Sequence, residues 1–179
     1  MTQNILIENC VFDQGDDAIA VKSGRNQDAW RLNTPMKNLV IRNCTVKNGH
    51  QLLAIGSELS GGIENVFMGN CKVAEGAKMR DLLFIKTNER RGGYVKNIHV
   101  GNIKADKLSE GVLGIETDVL YIWRYFVPTY ERRLTPISRI YLSNIHAKEA
   151  KFVFYKLKIN AFLKCFSSIN FFSSSKSIW

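Results

Sequence analysis

A nine-residue alternation of apolar and polar positions recurs five times along this 179-residue chain, and its phase slips at the centre of every copy. The copies are NILIENCVF from Asn4, NLVIRNCTV from Asn38, NVFMGNCKV from Asn65, NIHVGNIKA from Asn97 and RIYLSNIHA from Arg139. Ile5 and Ile7 share one face of a strand, because successive side chains alternate. The next inward pair, Cys10 and Phe12, begins three residues after Ile7, so the chain turns a corner between the pairs. Asn9, Asn43, Asn70, Asn102 and Asn144 occupy that corner. Asn is the non-glycine residue that best tolerates the left-handed backbone of a one-residue bend. Stacked Asn side chains can also pair amide to amide.

The copies start 34, 27, 32 and 42 residues apart, a period typical of solenoids. Each repeat carries a further strand, 9 to 13 residues beyond its bend Asn, at Ile19/Val21, Leu53/Ile55, Leu83/Ile85, Leu113/Ile115 and Val153/Tyr155. Three short strands per coil, with coils stacked about 4.8 Å apart by parallel pairing, make an all-β fold. The pattern predicts a right-handed single-stranded parallel β-helix of about five coils over residues 1–156. An α/β fold would need amphipathic 3.6-residue periods between the strands, and none of useful length precedes residue 156. Residues 157–179 depart from the pattern. They have no bend Asn in phase, no Asp or Glu and a Phe/Ser bias, and are expected to form an atypical, poorly packed tail.

Composition narrows the partners. No apolar run reaches 18 residues, so no membrane-spanning helix is expected. The net charge of +9, from 25 Lys+Arg against 16 Asp+Glu, suits an acidic partner. The charges are dispersed, and no nucleic-acid motif is present. Cys10, Cys44 and Cys71 fall in one slot after the bend Asn, which reads as an inward column rather than a disulfide framework. With no Cys-x-x-Cys pair, no zinc site is inferred; no metal or other cofactor is expected, and the chain reads as a monomer. Met1-Thr2-Gln3 leads directly into a strand, so no signal peptide is legible.

Candidate chemistry emerges when the coils are aligned on Val21, Ile55, Ile85 and Ile115. One position on lie Lys22, Gly56, Lys86 and Glu116, pointing outward. Five positions back lie Asp16, His50, Arg80 and Glu110, so Asp16 should sit one coil from His50. Asp17 stands beside them, in a column with Gln51 and Asp81. Carboxylates acting as general acid and general base are what glycosidic cleavage requires. A His one coil away can hydrogen-bond a carboxylate, and outward lysines can hold an anionic sugar.

Three blocks then carry a specific resemblance. QGDDAIAVKSG (Gln14 to Gly24) resembles the Gly-Asp-Asp-x-Ile-Ala-x-Lys-Ser-Gly signature of glycoside hydrolase family 28, the polygalacturonases. NGHQLLAIGSELSGG (Asn48 to Gly62) resembles that family's Gly-His-Gly and Ile-Gly-Ser-Glu-x-Ser-Gly-Gly blocks, and LLFIKTNERRGG (Leu82 to Gly93) its Arg-Ile-Lys-Thr block. The resemblance covers residues 4 to 155 and is nearest to bacterial exo-acting members. It implies an inverting hydrolase of α-1,4-linked galacturonan in pectin, with Asp16 as general acid, Asp17 helping to activate water and His50 tuning the carboxylates and contacting substrate. Lys86 would bind a uronate carboxylate, with Lys22, Gln51 and Arg90 as further substrate contacts. The partner is then an acidic polysaccharide, and the parent protein is secreted or periplasmic.

There are departures from the family pattern. The Arg of the third block is Phe84, with Arg90 or Arg91 as candidate replacements for the lost carboxylate clamp, and the Gly after His is Gln51. The family's Asn-x-Asp block would fall before Met1. Asp13 is the only local substitute, so the chain as written is expected to turn over little substrate. Tyr121 lies out of phase with the family's later substrate-binding Tyr. The alternative readings are a non-catalytic β-helix that binds acidic polysaccharide, and a calcium-dependent lyase acting by β-elimination.

Overall fold

A computed structural model describes residues 2–119, 131–157 and 163–164. Its strands stack into a right-handed parallel β-helix. The first coil holds β1 (Gln3–Glu8), β2 (Val11–Asp13) and β3 (Ile19–Val21). A short helix, α1 (Asn26–Leu32), precedes the second coil of β4 (Met36–Arg42), β5 (Thr45–Asn48) and β6 (Gln51–Gly56). In the third, β7 (Ile63–Val73) runs through the bend before β8 (Asp81–Lys86). In the fourth and fifth, β9 (Val95–Glu116) and β10 (Ile137–Leu157) each run through a whole coil, because a one-residue bend does not interrupt the pairing. A short β11 (Leu163–Lys164) pairs with the start of β10. Apart from Leu157 at the end of β10 and the two residues of β11, the segment read as an atypical tail lies outside the described residues, as does Tyr121.

The bend column forms as expected: Asn9, Asn43, Asn70, Asn102 and Asn144 all take positive φ, between 51° and 56°. A second left-handed column, not anticipated, runs through Asn4, Asn38, Asn65, Asn97 and Arg139, with φ between 56° and 59°. Each apolar pair is thus bracketed by two left-handed residues. The continuous amide ladder belongs to this second column. Asn38 donates to Asn4 at 2.8 Å, Asn65 to Asn38 at 3.0 Å and Asn97 to Asn65 at 3.0 Å. In the bend column the amide–amide bond joins Asn144 to Asn102, at 2.6 Å.

Inside, side chains stack like on like along the axis. Leu39, Val66, Ile98 and Ile140 pair in sequence, as do Val21, Ile55, Ile85 and Ile115. Cys44 and Cys71 are buried in one inward column, continued by Ile103 and Ile145. Burial pushes the Cys71 thiol up to about 11, which suits packing rather than reactivity. Burying this apolar column is the dominant stabilising term. On the outside Phe67, His99 and Tyr141 form a ring stack with centroids 4.8 and 4.4 Å apart.

The fifth coil corrects one expectation. Val153 and Tyr155 were aligned with Leu113 and Ile115, but Phe154 pairs with Leu113 and Lys156 with Ile115. A shift between Ala150 and Phe152 removes one residue from that corner. Counting from the bend Asn fails once a turn changes length.

Candidate active site

The sheet of third strands carries the candidate residues. Ile19, Leu53, Leu83 and Leu113 pair laterally, and the outward column beyond them runs Gly56, Lys86, Glu116. The turn leading into each third strand is in register too. The His50 N–H donates to the Asp16 carbonyl at 2.9 Å, Arg80 to His50 at 2.8 Å and Glu110 to Arg80 at 3.0 Å. Backbone pairing at the turn therefore delivers Asp16 and His50 to one spot on neighbouring coils.

Two polar pairs converge there. His50 Nδ1 lies 3.3 Å from Asp16 Oδ1, and the same oxygen accepts the Asp17 N–H at 2.8 Å. The Asp16 side chain is open to solvent, 86% exposed. Asp17 is its opposite, 10% exposed, with Oδ2 held by Lys86 Nζ at 2.8 Å. Its Oδ1 is buried and has no hydrogen-bond partner among the described residues. Adjacent carboxylates thus sit in contrasting surroundings, one wet and beside an imidazole, the other enclosed and beside an ammonium.

Lys86 reaches Asp17 from two coils away, and the coil between them carries Gly56 in the Lys86 column. Without a side chain at Gly56, the lysine can lie back across that coil. The glycine is also required by its backbone: φ is +94°, and a Cβ would meet the Lys86 carbonyl oxygen at 2.1 Å. Such a conformation is strained for any other residue. On the far side of Lys86 stands Glu116, paired with it in register. Burial, then the nearby Asp118 charge, holds the Glu116 carboxyl above its usual range, with Lys86 and Arg80 opposing.

The remaining candidates separate. Lys22 bonds Glu58 Oε2 at 2.6 Å, while Arg25 takes the other oxygen at 3.1 Å. Burial would raise the Glu58 carboxyl, but the Lys22 hydrogen bond and the charges of Lys22 and Arg25 hold it below its usual range. Lys22 therefore already has a carboxylate partner. Gln51, expected to contact substrate, is instead 3% exposed and donates to buried Asp81 Oδ2 at 3.2 Å. Asp81 in turn accepts the Gly111 N–H at 3.2 Å, so this pair ties three coils together inside the wall. The turn tips the Gln51 column inward, a rotation that strict alternation does not reveal.

Phe84 is 5% exposed and lies 5.9 Å under the Lys86 ammonium. It forms floor rather than clamp. Of its two candidate replacements, Arg91 is 4% exposed and committed to Ser57 O at 2.8 Å and Asn26 Oδ1 at 2.7 Å. Arg90 is half-buried on the turn beyond β8, where its N–H bonds Asn88 Oδ1 at 2.9 Å. Asp13 sits at the end of β2, with Oδ1 accepting from Asn48 at 2.8 Å. Sequence reasoning missed Glu58 and Glu116. Glu116 was visible as the next member of the Lys86 column, and Glu58 as the only acid in the turn facing Lys22.

The chain is similar in sequence and fold to several known proteins. A probable polygalacturonase of Vitis vinifera is 40% identical over 98 residues, which is 54% of this chain and 19% of that protein. An exo-poly-alpha-D-galacturonosidase of Dickeya chrysanthemi is 38% identical over 69 residues, 38% of this chain and 11% of that protein. The crystal structure of a hyperthermoactive exopolygalacturonase from Thermotoga maritima superposes with a TM-score of 0.72 at 34% identity, covering 83% of this chain and 32% of that one. The chain thus spans a third or less of the length of each of these relatives. The sequence profile of the glycosyl hydrolases family 28 matches residues 1–167, and the chain belongs to that family.

Proposed function

We propose that this chain carries the acid/base residues of a pectin-degrading hydrolase that cleaves α-1,4-galacturonosyl linkages with inversion. The observation that carries the reading is the convergence of Asp16, Asp17, His50 and Lys86, from three coils, on one turn. Inverting cleavage needs one carboxyl group to protonate the leaving glycosidic oxygen while a carboxylate takes a proton from water on the opposite face. Asp16, open to solvent and oriented by His50 and the Asp17 N–H, would act as the acid toward an incoming glycosidic oxygen. Asp17, enclosed with Oδ2 fixed by Lys86 and Oδ1 out of reach of solvent, would assist water activation through its negative charge rather than by an open oxygen. His50 adds a polar contact at the same end of the groove. Lys86 adds positive charge where a uronate carboxylate would approach.

The names of the relatives support the substrate class, and the net charge of +9 suits a polyanion. A polymer of plant cell walls lies outside the cell, so the working location would be secreted or periplasmic. The test is a reducing-sugar assay on polygalacturonate with the full-length protein that carries this chain, alongside its Asp16→Asn variant. Loss of an acid/base group typically costs about 10²–10⁴-fold in rate. The expected result is a loss in that range. An Asp16→Asn protein as active as the parent would overturn the assignment.

A further inference from the structure

The bend face of the solenoid carries a second trough, separate from the residues around Asp16. Its wall is one column on four successive coils: Thr45, Lys72, Lys104 and His146. Beside it runs the bend Asn column. Together they line a concavity of about 620 Å³.

Two features set this trough apart. The first is its charge. Lys72 and Lys104 face each other on neighbouring strands and are exposed, and neither has a carboxylate partner among the described residues. Like charges directly opposite destabilise a sheet. The nearest acids further along these strands are already engaged. Asp106 is held by Lys148 at 2.8 Å and by the Gly76 N–H at 3.1 Å, and Glu75 by Lys148 at 3.3 Å. By contrast Lys22, Lys37, Lys86, Lys96 and Lys107 each have a carboxylate within 2.9 Å, while Lys47 and Lys78, which also have no carboxylate partner among the described residues, do not line the trough. The second feature is the amides. The Asn4–Asn38–Asn65–Asn97 column is tied up in its own ladder. In the bend column the Asn43 and Asn70 side chains make no hydrogen bond among the described residues, so donors and acceptors stand open beside the two lysines.

We propose that this trough is a secondary binding site for an anionic polysaccharide chain with one carboxylate per sugar, laid along the solenoid axis. The coils repeat about every 4.8 Å, comparable with the advance per sugar of an extended polysaccharide, so two carboxylates on one side of such a chain can reach Lys72 and Lys104. The open amides suit hydroxyl groups, which both donate and accept. A nucleic acid fits less well, because its phosphates favour the planar guanidinium fork and its bases favour aromatic faces. The trough has no arginine, and its one ring, His146, is hydrogen-bonded to Asn144 at 2.8 Å. The choice of a uronan as the chain rests on the hydrolase reading above. The site would hold polymer on the enzyme's back while the groove works on a free stretch, adding avidity without touching chemistry.

The experiment is backbone NMR of the isotopically labelled chain titrated with a long oligogalacturonate, with affinity measured in parallel by calorimetry. The expected result is shifts at Asn43, Asn70, Lys72 and Lys104, resolved from any at Asp16, His50 and Lys86. Lys72→Gln with Lys104→Gln should weaken the trough by about tenfold or more, as two charge-assisted contacts are lost. Removing the same charge elsewhere, by Lys107→Gln with Lys151→Gln, should leave it within about twofold, because those lysines lie outside the trough. Shifts confined to the Asp16 groove would overturn the trough and leave the hydrolase reading standing. Shifts confined to the trough would support it and count against that reading. Equal binding of fully esterified oligomer, sulfated dextran or duplex DNA, or an unchanged Lys72/Lys104 double variant, would also overturn it.

Discussion

Replacing Lys86 with Met should destabilise the protein by about 3 kcal/mol, because it strands a carboxylate that is already half unsatisfied. Asp17 is 10% exposed and Lys86 15%, and their 2.8 Å contact is the only hydrogen bond to Asp17 Oδ2 among the described residues. Asp17 Oδ1 has none. Met keeps the length and apolar stem of Lys, so the packing over Phe84 survives and the charge is what changes. Breaking a buried pair by removing one partner typically costs about 3–5 kcal/mol, and the residual exposure here argues for the lower end. Removing both charges should cost much less, since neither is left alone. The double variant Asp17→Asn/Lys86→Met should therefore be more stable than Lys86→Met alone, with a coupling of about 2 kcal/mol. Urea unfolding of the four proteins, followed by circular dichroism, gives the cycle. Single effects that simply add, within about 0.5 kcal/mol, would refute the idea that Lys86 and Asp17 act as one unit.

Two other substitutions probe the frame around the site. Gly56→Ala should cost at least about 3 kcal/mol, because its φ is +94° and its Cβ would meet the Lys86 carbonyl oxygen at 2.1 Å; a melting temperature within a degree or two of the parent would contradict this. Glu64 bonds Lys37 at 2.7 Å and Lys96 at 2.6 Å, which hold its carboxyl below the ordinary 4.5 despite burial. Since the folded value is depressed, this stability is present above about pH 4.5 and is lost as pH falls through the folded value. Glu64→Gln should flatten the decline in melting temperature between about pH 5 and about pH 3; an unchanged decline would show that other groups set it.

Much of this frame was legible because a β-helix repeats its geometry. A left-handed Asn is needed at each bend, so the phase slip marked Asn9, Asn43, Asn70, Asn102 and Asn144 directly. Lateral pairing then fixed the Val21–Ile55–Ile85–Ile115 column, and with it the meeting of Asp16 and His50. What stayed hidden was rotation and reach. Strict alternation gives no sign that the Gln51 side chain turns inward to Asp81. Nor does it show that Lys86 crosses a whole coil to reach Asp17. The amide ladder runs through Asn4, Asn38, Asn65 and Asn97 because those side chains lie close enough to bond, and φ alone does not distinguish the two Asn columns. In the fifth coil, one residue lost at a corner displaced every later position.

The most direct test follows the anomeric protons by NMR while the full-length protein acts on polygalacturonate. A single displacement at an α-linkage, with Asp16 as acid and water as nucleophile, must release the β-anomer first, followed by slow mutarotation. The account predicts that β signal at the earliest time points, and its disappearance in the Asp16→Asn variant. An initial α-anomer would mean a covalent double displacement, and an unsaturated product would mean elimination. Either would contradict the roles given to Asp16 and Asp17.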